Sequence, residues 1–115
     1  MDIDLIFTAV KQSEWRQISN DGRLEETLGK TDESVRSFEG KHAEAIINHY
    51  FEGDEDVFLV VFDPLRIQVP IKRIKEDGFE MIWIKGAVSV DVIIDKVLLK
   101  PDKKGRYSVD VKHFD

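Results

Sequence analysis

GKHAEAIINHYFEGDEDVFLVVFD, residues 40–63, decides how this chain folds. Ala43, Ile46, Ile47, Tyr50 and Phe51 recur at helical spacing, which predicts an amphipathic helix over 41–52. Gly53 follows the last periodic residue, where a helix can end in a left-handed turn. Asp54, Glu55 and Asp56 make a charged loop, and Val57–Phe62 is then apolar at every position. A run so short and so rich in β-branched residues predicts a strand buried on both faces. One helix therefore packs on one central strand, and the remaining segments must cover the rest.

Working outward, residues 4–10 (DLIFTAV) predict a first strand, and Ser13 is placed to cap a short helix over 14–20 with Trp15 and Ile18 inward. Residues 23–39 show no period, so they read as a long loop with at most a short strand or turn near Val35. Such loops often line a binding cleft. Asp63-Pro64 marks a turn. Residues 67–74 alternate as a strand that Pro70 confines to an edge or a bulge. Residues 75–78 turn, Phe79–Ile84 is a strand, 85–86 turn again, and 89–92 can form one helical turn. Residues 93–100 and 106–112 read as a closing hairpin around Pro101-Asp102-Lys103-Lys104-Gly105. Helices gather in the first half and strands in the second. This order predicts an α+β domain with a mostly antiparallel sheet and two main helices in the N-terminal half.

The chain has 115 residues, which fits one domain spanning 1–115. It has no cysteine, so it holds neither a disulfide nor a thiol nucleophile. No apolar run approaches the roughly 20 residues of a membrane span, and the acidic start lacks the basic region of a signal peptide. A cytoplasmic protein without a membrane partner is expected. Net charge is −6, which argues against generic nucleic-acid binding. The balance is uneven: residues 1–65 carry 6 basic and 15 acidic side chains, residues 66–115 carry 11 and 8.

Few residues carry obvious chemistry. His42 and His49 lie two turns apart on one helix, about 10 Å, too far to share a metal. His113 stands alone near the end, and no metal site is expected. Asp54, Glu55 and Asp56 lack the spacing of a calcium loop. Lys103, Lys104 and Arg106 are the polar tip that a hairpin needs. The glycines form no phosphate-cradling loop, and no hydrolase or zinc-protease motif is present. Trp15 and Trp83 read as core residues.

Several stretches together resemble family 952 of the small bacterial domains of unknown function. They are Ile6-Phe7-Thr8-Ala9, Glu14-Trp15, Gly22, residues 33–38, Ile47-Asn48-His49-Tyr50-Phe51-Glu52-Gly53, Asp63-Pro64, residues 81–86 and the turn 101–105. The resemblance covers nearly the whole chain. It implies a fold like that of ADP-ribosyltransferases. The three histidines of that family fall at Thr8, Arg36 and Trp83, so histidine chemistry is not expected to survive here. Arginine can instead hold phosphate or carboxylate with a planar fork. Three functions follow. The first is a non-catalytic or divergent member binding a small anionic ligand or a protein partner, with Thr8, Arg36, Ser37 and Trp83 around one cleft. The second is an enzyme acting on NAD or a phosphorylated nucleotide, using Thr8, Arg36, Ser37 and an acid from Glu33, Glu76 or Glu80. The third is a structural or interaction protein without a small ligand. No cofactor is expected except NAD under the second. If the cleft exists, Arg36→Ala is expected to abolish anion binding with the fold intact.

Overall fold

The apolar run at 57–62 and the helix before it assemble as their patterns require. The computed structural model describes residues 5–28 and 34–110. In chain order the elements are β1 (Ile6–Lys11), α1 (Gln12–Asp21), β2 (Arg23–Leu24), β3 (Val35–Glu39), α2 (Ala43–Tyr50), β4 (Val57–Phe62), β5 (Ile71–Glu76), β6 (Phe79–Ile84), β7 (Val88–Ser89) and β8 (Ile93–Leu99). Six strands form one antiparallel sheet in the order β5-β6-β3-β1-β4-β8, and β2 pairs with β7 beside it. The protein is thus α+β, with a mostly antiparallel sheet and two α-helices among the described residues. No helix among the described residues is long and apolar enough to cross a membrane.

β4 lies between β1 and β8 and is buried on both faces. Successive strand residues point to opposite sides. Val57, Leu59 and Val61 therefore join Ala43, Ile46 and Ile47 of α2 in one core cluster. Val60 and Phe62 join Ile6, Val10, Leu24 and Val88 in a second cluster on the other face, with Trp15 and Ile18 of α1 packed against it.

Several expectations are corrected. Ser13 does not cap α1; it sits in the first turn and donates to Glu55 Oε1 (2.9 Å), while Glu14 accepts from the Lys11 N–H (3.2 Å). The helix expected over 41–52 is a 3-10 turn at Gly40–His42 followed by α2, which ends where Phe51 turns extended. Gly53 is left-handed (φ +81°) but lies beyond that end. The expected strand over 67–74 is displaced: a 3-10 turn at Pro64–Arg66 and irregular chain to Pro70 precede β5, which is an edge strand. The turn after it is only Asp77-Gly78, both with positive φ (55° and 85°), the pair that a two-residue hairpin of right-handed twist needs.

The expected loop over 23–39 is bounded by strands at both ends, and the strand near Val35 is longer and more central than expected. These strands are β2 and β3, and β3 lies inside the sheet between β6 and β1. Conversely, the second strand of the expected closing hairpin does not form at 106–110; residues 111–112 lie outside the described residues. The backbone groups of Tyr107 find other partners. The Asn48 side chain on α2 accepts from the Tyr107 N–H (2.8 Å) and donates to the Tyr107 carbonyl (2.8 Å), and Glu44 accepts from the Val109 N–H (2.9 Å). A helix amide thus replaces a strand ladder. Asn48→Ala should cost about 2 kcal/mol, because it leaves a donor and an acceptor of Tyr107 unmatched. Urea unfolding measures this, and amide exchange at Tyr107 should accelerate in the same variant.

Candidate functional site

β1 and β3 are paired only at Ile6↔Glu39 and Phe7↔Phe38. Past that point the strands part, and hydroxyls replace the ladder. Thr27 accepts from the Arg36 N–H (2.8 Å) and donates to the Arg36 carbonyl (2.8 Å), which also accepts from Thr8 (2.6 Å). Ser37 donates to the Ile82 carbonyl (2.6 Å). Thr8, Thr27 and Ser37 are all buried. These hydroxyls therefore satisfy buried main chain. Leu28, which follows Thr27, is buried with φ +58°, a conformation uncommon outside glycine.

Arg36 and Trp83 are directly opposite on β3 and β6, and residues so paired point to the same face. The guanidinium carbon lies 4.1 Å from the indole centre. Glu76 completes a two-toothed ion pair, with Arg36 Nε to Oε1 at 3.1 Å and Nη2 to Oε2 at 3.2 Å. Arg36 is 3% exposed, whereas the Glu76 side chain keeps 20% of its surface. Lys85, two positions after Trp83, sets its ammonium 4.6 Å from the same ring centre. Lys72 is the cross-strand partner of Trp83 on β5. Both lysines are exposed, and neither has a carboxylate at ion-pair distance among the described residues. The Trp83 Nε1–H is out of solvent and has no acceptor among the described residues.

The α2 side of this region is closed by Tyr50, whose hydroxyl donates to Asp77 Oδ2 (2.5 Å), while His49 sets its ring edge-on to Tyr50 and Phe79. Burial, and then the Asp77 carboxylate, hold the Tyr50 phenol well above its ordinary pKa, so it remains a donor.

The structure thus brings Arg36 and Trp83 into contact. The Thr8 hydroxyl reaches Arg36 only through its carbonyl, and the Ser37 hydroxyl is turned to the Ile82 carbonyl instead. Glu76 belongs to the cluster; Glu80 instead lies 3.6 Å from His42 Nε2, too long for a hydrogen bond. Glu33 and His113 lie outside the described residues. His49 packs against rings, Asp56 pairs with Lys100 (3.3 Å), and no group of three or more His, Asp or Glu able to hold a metal occurs among the described residues. At the 101–105 turn, Asp102 accepts from the Lys104 and Arg106 N–H groups, leaving their side chains in solvent. Sequence reading missed Lys72, Lys85 and Thr27. Only the position of Lys85, two after Trp83 and so on the same face of an extended chain, was a usable signal.

No protein-family model matches this chain, and no curated protein matches it. Among solved structures it is similar to protein CC0527 from Caulobacter crescentus. The crystal structure of that protein superposes with a TM-score of 0.79 at 18% identity, covering 90% of this chain and 93% of that one. Its solution NMR structure gives 0.72 at 18% identity, over 89% and 90%. The two proteins share a fold.

Proposed function

We propose that this protein binds a small anionic ligand without catalysis, at the rim of Trp83 where Lys85 and Lys72 stand. The observation that carries this reading is the exposed Lys85 ammonium 4.6 Å from the Trp83 ring centre, with exposed Lys72 at the cross-strand position opposite Trp83 and no carboxylate at ion-pair distance from either among the described residues. Arg36 lies beneath them already matched by Glu76, so an anion from solvent meets the lysines first. Trp83 is half-buried, so part of its indole reaches solvent beside Lys85. The second reading, an enzyme acting on NAD or a phosphorylated nucleotide, has less support, since Thr8 and Ser37 are buried with their hydroxyls donated to carbonyls. We infer also that the chain is a divergent member of family 952 with an ADP-ribosyltransferase-like fold. The motif correspondence along the sequence supports that kinship, and the α+β architecture is compatible with it.

A thermal-shift series with inorganic phosphate and nucleoside phosphates tests the binding. A ligand at a hundred times its Kd should add about 2.7 kcal/mol of stability, and added salt should shrink the effect. Lys85→Ala, at an exposed position, should keep the unliganded stability and lose most of the shift. An absence of any shift with all these anions rejects the reading.

A further inference from the structure

We propose that Glu76 determines the specificity of this site: its carboxylate occupies the Arg36 fork that an incoming phosphate would otherwise take. The inference rests on the anion-binding reading and goes beyond it. A guanidinium recognises carboxylate and phosphate through the same pair of parallel N–H bonds, so the two compete for one fork. In this protein both teeth are taken, at 3.1 and 3.2 Å.

The competitor is held in place by the fold. Glu76 is the last residue of β5, directly opposite Phe79 across the Asp77-Gly78 turn. Both turn residues have positive φ, and Asp77 is fixed to Tyr50 of α2. A group so tethered acts at an effective concentration of about millimolar or higher. Free phosphate below that level cannot displace it. The wild-type site therefore selects anions by charge at the lysine rim, with little discrimination by oxygen geometry. A site in which Arg36 were open would favour phosphate over monatomic anions.

Calorimetric titration with inorganic phosphate, and with chloride as comparator, tests this on wild type, Glu76→Gln, Glu76→Asp and Lys85→Ala. Glu76→Gln should bind phosphate about tenfold more tightly, since a carboxylate no longer opposes it beside the guanidinium. The gain should be for phosphate and not for chloride. Glu76→Asp keeps the charge but pulls it back from the fork by one methylene, and should fall between. It is also the variant that keeps the test decisive should Glu76→Gln fail to fold. Unchanged or weaker phosphate binding in the folded Glu76 variants, with wild-type binding still lost in Lys85→Ala, overturns the inference and leaves the rim reading standing. Phosphate binding that appears only in the Glu76 variants supports the inference and overturns the rim reading. No phosphate binding in any chain overturns both.

Discussion

Arg36→Ala should destabilise this protein by about 3 kcal/mol, so it cannot serve as a silent test of ligand binding. From the sequence, Arg36 lay in an exposed cleft loop, where truncation would leave the fold intact. In the structure its charge is buried on the central strand β3 and answered by Glu76. Removing one partner of a buried pair typically costs 3–5 kcal/mol because the other charge is left uncompensated. The lower end applies, since Glu76 retains a fifth of its side chain in solvent and can be partly rehydrated. The stack on Trp83 is lost as well. Urea unfolding checks the magnitude. Removing both charges in Arg36→Met with Glu76→Gln should recover much of the loss, because no charge is then stranded. A cost under about 1 kcal/mol for Arg36→Ala would match an exposed pair and would contradict the buried geometry.

Gly53→Ala should have an effect of similar size, about 3–4 kcal/mol, through a different cause. A Cβ at this position would stand 1.9 Å from the Gly105 carbonyl oxygen and 2.6 Å from its carbon. Both are backbone atoms, so no side-chain rotation relieves the overlap. The left-handed φ of +81° adds about 1–2 kcal/mol for any residue with a Cβ, and forcing extra volume into a packed site adds roughly 1–3. Gly105→Ala is the natural control. It shares the left-handed φ, +78°, but its Cβ would meet nothing closer than 3.6 Å. It should therefore show only the conformational part, about 1–2 kcal/mol. Equal midpoint shifts for the two variants would show that the close approach of the two turns carries no weight. The approach itself matters for the fold: it locks the exit of α2 against the turn that leads to Tyr107, whose hydroxyl donates to the Glu55 carbonyl (2.5 Å).

The stretch at 40–63 was legible because its forces are local. A helix period over Ala43, Ile46 and Ile47 and an unbroken apolar run over Val57–Phe62 each state which faces are covered, and both clusters appear as those patterns demand. The class of the fold followed from the order of such segments. The sequence also marked Arg36 and Trp83 as a pair of interest, through a family resemblance and not through any period, and they do touch.

What it could not state was how polar residues are matched. Residues 34–39 looked like a loop because Ser34, Arg36, Ser37 and Glu39 interrupt the apolar pattern. Yet Arg36 and Ser37 are buried in a central strand, since Glu76, Thr8, Thr27 and the Ile82 carbonyl supply their partners from 9 to 45 residues away. Burial of a polar group is decided by whether a partner arrives, and partners distant in sequence arrive only when the sheet closes. The same reasoning applies at the other end of the chain. Residues 106–110 carried an alternating pattern, but strand formation needs a neighbour to take the backbone hydrogen bonds. Asn48 of α2 took those of Tyr107 instead. The amino-acid pattern therefore determined the helix, the central strand and the class of the fold. Tertiary structure alone decided which polar groups became core and which lysine came to lie against the Trp83 ring.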